Sequence, residues 1–168
     1  VFLASVLHDL GMTISRKDHE TYSLFLANNL LHQIIDFLPD DEKTIVISEV
    51  LHAIISHRSD GKPITLEAGI VRVADALDMS EGRSRIVYEQ EKIDIYSVSA
   101  AAINKVNIKQ GSNKPIELDI LMNNSAGIFQ IDELLKKKII GSGIEKYIDV
   151  HAYISQETEK QLIKEYRI

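Results

Sequence analysis

The chain has 168 residues, of which 45% are hydrophobic and 26% are charged, which is the composition of an ordinary globular domain. It contains no cysteine, and this excludes disulfides, thiolate nucleophiles and cysteine-bound zinc or iron–sulfur clusters. The net charge of −6 argues against nucleic acid as a partner, and no apolar run reaches the ~20 residues of a membrane span. Since no signal leader opens the chain, we expect a cytoplasmic protein without a membrane partner.

Apolar residues recur at helical spacing through the first part of the chain, and polar connections separate the segments. The predicted helices span residues 1–10, 18–37, about 40–57 and 65–79. Gly11 is expected to end the first helix, because glycine accepts the positive φ of many helix ends. The first helix begins with neither a methionine nor a capping residue, so we expect an earlier part of the chain before Val1.

The second part of the chain has a different pattern. Residues 80–92 are charged and irregular, and 95–103 predict one more short helix. Alternating apolar residues predict a hairpin and a third strand, with a helix between them that Gly141-Ser142-Gly143 closes. A terminal helix is predicted at 158–166.

These elements predict an α+β fold of two domains. An all-helical domain occupies residues 1–100, and a small β-β-α-β domain occupies residues 101–168. The small domain has an open sheet edge, and such an edge can pair with a second copy. We therefore expect this domain to serve dimerisation, as a homodimer, or regulation.

Two places in the helical domain carry polar groups that need an explanation. His8 and Asp9 are adjacent at a helix end. Taken alone, this pair is explained by the favourable interaction of a histidine with the helix dipole. Asp75 lies inside an apolar helix, and an ionised carboxylate there must be paired or metal-bound. Spacing allows an ion pair with Arg72, three residues earlier, so both explanations stay open.

Three segments in this order resemble the HD superfamily of metal-dependent phosphohydrolases. They are Leu-His-Asp-Leu-Gly at 7–11, Ile-Ile-Ser-His at 54–57 and Val-Arg-Val-Ala-Asp-Ala-Leu-Asp at 71–78. Residues 67–70 and 79–85 also resemble archaeal-type HD proteins with a small C-terminal α/β domain. The resemblance implies an HD-type helical fold, with His8, Asp9 and Asp75 as metal ligands and His19 and His57 holding a second ion. The family's first histidine has no counterpart in the seven residues before His8, so either this ligand lies further upstream or the site is incomplete.

The resemblance also implies the chemistry. Imidazole and carboxylate ligands suit a divalent ion, which could be Mn, Fe, Zn, Ni, Co or Mg. A water activated by the metal would attack a phosphate ester or a nucleotide, with Asp9 and Asp75 as the catalytic carboxylates. Four cations flank these segments and are candidates for binding the substrate phosphate, although ordinary surface charge is the better explanation for any one of them taken alone. They are Arg58, Lys62, Arg83 and Arg85.

Three further histidines, His32, His52 and His151, are expected to be structural or to face solvent. The leading function is a metal-dependent phosphohydrolase. A non-catalytic HD-fold module that regulates or binds a nucleotide is the alternative, and a structural dimerisation unit is a third. We expect Asp75→Asn to abolish activity and to leave the fold largely intact, unless it deprives a buried Arg72 of its partner.

Overall fold

The computed structural model describes residues 1–80 and 95–154. The chain divides into two compact units, which we call the helical unit (Val1–Asp75 with Lys138–Ile144) and the sheet unit (Ala76–Lys137 with Glu145–Ile168). The fold is α+β, as predicted. The irregular segment after residue 80 and the helix predicted at 158–166 lie outside the described residues.

All four predicted helices form, with ends that differ by a few residues from the prediction. They are α1 (Phe2–Leu7), α2 (His19–Ile34), α3 (Asp40–Ser56) and α4 (Leu66–Leu77). Apolar residues spaced three and four apart on these helices meet in one core. This core includes Ala4, Leu7, Ala27, Leu31, Val50, Ile54, Ala68 and Val71. None of the helices in the described part of the chain is both long and apolar enough to cross a membrane.

The expected role of Gly11 is wrong. Helix α1 ends at Leu7, and Gly11 lies inside a 3₁₀ turn (Leu10–Thr13) that follows it. The backbone N–H of Gly11 donates to Ser23 Oγ on α2 at 2.8 Å. A Cβ at this position would lie 2.6 Å from the backbone nitrogen of Ser23. Glycine is needed here because the turn packs directly on α2, and not because a helix ends with positive φ.

The sheet unit contains the predicted hairpin and third strand. Its elements are α5 (Ile95–Ala101), β1 (Ile103–Gln110), β2 (Ile116–Met122) and β3 (Ile148–Ile154). Strand β1 pairs with β2 in antiparallel fashion, and β3 pairs with β2 in parallel. A parallel pair needs a crossover connection, and the helical segment between β2 and β3 provides it.

This crossover helix, α6, is continuous but irregular. An α-helical turn (Gly127–Gln130), a π-helical turn (Ile131–Leu135) and a last α-helical turn (Lys136–Ile139) follow one another. The residues from Lys138 to Ile144 belong to the helical unit. Gly141 and Gly143 have φ of 73° and 78°, which is the left-handed conformation that glycine permits after a helix.

Candidate metal centre

Helix ends in the helical unit bring five polar side chains together, which we call the helix-end cluster. These are His8 and Asp9 after α1, His19 at the start of α2, His57 after α3 and Asp75 in the last turn of α4. Asp18, just before His19, adopts a left-handed conformation with φ 58°, which aspartate tolerates better than most residues. The five residues that the sequence suggested as metal ligands are therefore neighbours in space.

The distances within the helix-end cluster match those between ligands of a metal ion. His8 Nε2 lies 3.6 Å from both Asp9 Oδ2 and Asp75 Oδ1. Asp9 Oδ1 lies 3.2 Å from His19 Nε2 and 3.7 Å from His57 Nε2. Ligand atoms that share an ion at about 2.1 Å lie about 3.0–3.5 Å from one another. Small movements of these side chains would therefore suffice to surround an ion.

Each histidine of the cluster directs the same ring nitrogen inwards. Nδ1 donates in all three cases to the backbone carbonyl three residues earlier. The three hydrogen bonds run from His8 to Ser5 (2.8 Å), from His19 to Arg16 (3.0 Å) and from His57 to Ile54 (2.6 Å). A carbonyl oxygen can only accept, so Nδ1 must carry the proton and Nε2 of the neutral ring keeps its lone pair. Two of these carbonyls lie in the last turns of α1 and α3, where helix carbonyls lack intrahelical partners.

Ring nitrogens and carboxylate oxygens face one another in the cluster. Nε2 of His19 and Nε2 of His57 both face the same oxygen of Asp9. Acceptors that face one another repel unless a proton or a cation lies between them. The donor set is therefore suited to a divalent ion, and this fit rests on the arrangement of the ring nitrogens as well as on the residue types.

Burial and neighbouring charges shift the protonation of this cluster. The adjacent Asp75 carboxylate raises the pKa of His8 above its usual value, whereas burial lowers the pKa of His57. Burial alone would raise the pKa of Asp75, but the contacts with His8 and the Lys138 ammonium outweigh it and hold that pKa well below its usual range. At neutral pH Asp75 is ionised and His57 is neutral, which are the forms in which each can bind a metal ion.

Glu20 is a potential ligand that the sequence analysis missed. Its Oε2 lies 3.5 Å from His19 Nδ1, and Glu20 forms with His19 and His57 a second set of groups close enough to share an ion. The first such set consists of His8, Asp9 and His57. An acidic residue in the first turn of a helix is ordinarily explained by the helix dipole, so only its position next to His19 could have indicated a role.

Arg72 and Lys138 form a second layer behind Asp75. Arg72 donates Nε to the Lys138 carbonyl at 3.1 Å, Nη2 to the Ser59 carbonyl at 3.0 Å and Nη1 to the Gly61 carbonyl. Lys138 Nζ donates to Asp75 Oδ2. The ion pair of Arg72 with Asp75 that spacing allowed is thus replaced by a contact of Asp75 with Lys138, while Arg72 donates to backbone carbonyls.

Two of the four candidate phosphate-binding cations lie in the part of the chain that the structure describes. Arg58 Nε donates to Asp60 Oδ1 at 2.7 Å on an exposed loop, and Lys62 is exposed on the same loop. Arg83 and Arg85 lie outside the described residues. Phosphate binding by these four residues stays a prediction. Asp9 keeps 35% of its side-chain surface exposed, so the helix-end cluster is open to solvent at this residue.

Two of the discounted histidines have partners away from the helix-end cluster, and the third is exposed. His52 accepts a hydrogen bond at Nε2 from the backbone N–H of Ile64 at 3.0 Å, which ties α3 to the following loop. His32 is exposed on α2. His151 lies on β3 in the sheet unit and contacts Asp119.

A second group of potential ligands occurs on the sheet, and we call Glu117, Asp119 and His151 the sheet cluster. His151 Nδ1 lies 3.2 Å from Asp119 Oδ1. Lys109 Nζ lies 3.2 Å from a carboxylate oxygen of both Glu117 and Asp119. The cross-strand lysine already supplies this cluster with a cation, so these neighbours have an ordinary explanation.

Comparisons with known proteins identify the helical part of the chain. Residues 1–80 match the model of the HD domain family. The chain is 43% identical over 167 residues to the uncharacterized protein MJ1020 of Methanocaldococcus jannaschii, a match that covers 99% of this chain and 64% of that protein. The chain thus spans less than two thirds of that relative's length. No solved structure matches this chain. Together with the helix-end cluster, the family match shows that residues 1–80 of this chain belong to the HD domain family.

Proposed function

We propose that this protein is a metal-dependent phosphohydrolase that acts on a phosphate ester or a nucleotide through a metal-activated water. HD domains are generally found in metal-dependent phosphohydrolases. The observation that carries the proposal is the arrangement of three histidines, each with Nδ1 bound to a backbone carbonyl and Nε2 facing the carboxylates of Asp9 or Asp75.

The residues that would hold the metal are those of the helix-end cluster. Asp9 directs Oδ2 towards His8 and Oδ1 towards His19 and His57, so it is suited to bridge two ions. Asp75 directs Oδ1 towards His8. A bound divalent ion would polarise the phosphoryl group and make its water acidic enough to act as a nucleophile at neutral pH.

The protein's own contribution is to fix these ligands before the ion arrives. Backbone carbonyls orient the three imidazoles, as hydrogen bonds to the second ring nitrogen generally do for histidines that bind a metal. The donor set contains nitrogen and oxygen but no sulfur, so it suits Mn²⁺, Fe²⁺, Co²⁺, Ni²⁺, Zn²⁺ or Mg²⁺. The cytoplasmic location and the homodimer stay predictions.

The test compares metal binding and turnover in the full-length protein and two variants. The protein is stripped with a chelator, titrated with Mn²⁺ by calorimetry, and assayed for phosphate release from nucleotides and simple phosphate mono- and diesters. His57→Gln removes a buried member of the cluster. His32→Gln is the matched control, because it removes an exposed histidine of the same unit.

We expect the wild type and His32→Gln to bind Mn²⁺ and to release phosphate, and His57→Gln to lose both properties. A wild type that binds no divalent ion contradicts the proposal. Metal binding without turnover on the whole panel favours the alternative, an HD-fold module that binds a nucleotide without hydrolysing it.

A further inference from the structure

Lys138 differs from the two lysines that precede it. Lys136 and Lys137 are exposed, and each pairs with an acidic residue four positions earlier on the helix. Position 134 is a leucine, so Lys138 has no such partner on its own helix. Its side chain is instead 6% exposed, and its ammonium contacts Asp75 Oδ2. A buried ammonium requires a partner of this kind, because an isolated buried charge is very costly.

The backbone of Lys138 is held in place by α4. Its carbonyl accepts a hydrogen bond from Nε of Arg72, which lies one helical turn before Asp75. Gly69, one turn earlier still, lies so close to the Ser142 carbonyl that a Cβ could not fit between them. The segment from Lys138 to Ile144 is thereby docked on α4 at two points, and the ammonium does not reach Asp75 from a loose surface chain.

The two oxygens of Asp75 have separate neighbours. Oδ2 accepts from Lys138 Nζ, whereas Oδ1 faces His8 Nε2 at 3.6 Å. Only Oδ1 is therefore directed towards the other members of the helix-end cluster. The carboxylate cannot offer both oxygens to one ion without giving up the buried lysine.

We propose that Lys138 is a positioning residue of the metal centre, a built-in cation that holds Asp75 in the absence of metal and restricts it to offering Oδ1 as a ligand. This inference rests on the proposed function. Lys138 lies outside residues 1–80, so the chain supplies part of the metal centre from beyond the segment that matches the HD domain family.

The proposal predicts how metal binding changes when the ammonium is removed. In Lys138→Met, Asp75 has lost the ammonium that contacts Oδ2, so a divalent ion takes a larger share in compensating the charge of this carboxylate. The ion also no longer binds beside a positive charge. We therefore expect Lys138→Met to bind Mn²⁺ about tenfold more tightly than the wild type, because the removed ammonium no longer repels the cation.

The experiment measures the thermal midpoint of the full-length protein in chelator and in saturating Mn²⁺, together with Mn²⁺ affinity by calorimetry. Lys138→Met is compared with Lys138→Arg, which keeps the charge, and with the matched control Lys137→Met on the exposed face. We expect Lys138→Met to melt lower in chelator and to gain more from Mn²⁺ than the wild type does. Lys137→Met should match the wild type in both solutions, and Lys138→Arg should come closer to it than Lys138→Met.

A structural role limited to packing would lower both midpoints of Lys138→Met equally and leave Mn²⁺ affinity unchanged, and this result overturns the inference alone. If Mn²⁺ shifts neither the wild type nor any variant, the proposed function fails together with the inference. Should Lys138→Met not fold in chelator, the double variant Lys138→Met/Asp75→Asn removes both charges and is expected to regain a folded state. A double variant that is as unstable as Lys138→Met also overturns the inference.

Discussion

The helix-end cluster and the sheet cluster both bring histidine and carboxylate groups within reach of one ion. They differ in the hydrogen bonds that orient their histidines and in the groups that lie beside their carboxylates. In the helix-end cluster, Nδ1 of each histidine is bound to a backbone carbonyl, and Nε2 faces carboxylate oxygens. In the sheet cluster, His151 turns Nδ1 itself towards Asp119, and the ammonium of Lys109 lies beside both acids.

This difference shows that proximity alone does not define a metal centre. A histidine that is anchored through one nitrogen can offer the other to a metal ion without reorganisation. His57 is also nearly removed from solvent, with 3% of its side chain exposed, whereas His151 keeps 62% exposed. The histidines of the helix-end cluster are thus oriented by backbone carbonyls, while the sheet cluster is a surface network with its own cation.

The largest expected effect separates the two histidines functionally. His57→Gln should reduce phosphate release and Mn²⁺ affinity by more than about 100-fold, since even the loss of residues behind metal ligands costs about 10–100-fold. His151→Gln should leave both quantities unchanged. Calorimetry and a phosphate-release assay on the two variants check this, and an equal loss in both would contradict the assignment of the metal to the helix-end cluster.

The next effect concerns stability without metal. Asp75→Asn leaves the ammonium of Lys138 buried without its carboxylate, and breaking a buried pair in this way costs about 3–5 kcal/mol. Asp119→Asn should cost far less, because its partner Lys109 is 49% exposed and can be solvated. Urea unfolding in chelator measures both variants.

The stability of Asp75→Asn also tests the origin of its cost. If Lys138 is the partner that matters, adding Lys138→Met to Asp75→Asn should recover part of the lost unfolding free energy. No recovery in the double variant would mean that Asp75 stabilises the helical unit through other contacts. The sequence predicted that Asp75→Asn leaves the fold largely intact, and this expectation is best tested in the double variant that also carries Lys138→Met.

A smaller effect distinguishes two glycines, one in each unit. Gly69→Ala would drive a Cβ into the backbone carbonyl of Ser142, and crowding of this kind typically costs about 1–3 kcal/mol. Gly127→Ala would place its Cβ 2.7 Å from Met122 Sδ and 3.0 Å from Ile103 Cδ1, which are ends of flexible side chains. We expect Gly69→Ala to lower the urea midpoint clearly and Gly127→Ala to change it little. The reverse order would show that the Lys138–Ile144 segment yields easily.

The smallest effect is a pH dependence in the sheet cluster. The contact with His151, together with that of Lys109, lowers the pKa of Asp119 below its usual value of 3.8. The ionised carboxylate therefore adds stability above that value, and this contribution is lost as the pH falls through the lower pKa of the folded state. Thermal midpoints between pH 5 and pH 2 should fall less steeply in Asp119→Asn than in the wild type. Parallel curves would mean that these contacts do not favour the charged form.

Part of this picture could be predicted from the sequence. Helical spacing of apolar residues predicts α1 to α4, and alternation predicts the three strands, because both patterns follow from local geometry. The grouping of His8, Asp9, His57 and Asp75 into one site followed from the resemblance to the HD superfamily, because helical spacing alone left Arg72 as a possible partner of Asp75.

What the sequence could not show depends on contacts between distant segments. Gly11 has the pattern of a helix-ending glycine, but its role is set by α2 packing against it. Arg72 is three residues from Asp75, yet its donors go to carbonyls of Ser59, Gly61 and Lys138. The one local signal for Lys138 was the leucine four residues before it, where its two neighbours have acids.

The most direct test of the central claim is to locate a paramagnetic ion by NMR. Substoichiometric Mn²⁺ is added to the full-length protein, and the imidazole resonances of its histidines are followed. We predict that the signals of His8, His19 and His57 broaden first and that the signal of His151 persists. Broadening of His151 at the same Mn²⁺ concentration, or of none of the four, would contradict the claim that the helix-end cluster is the metal centre.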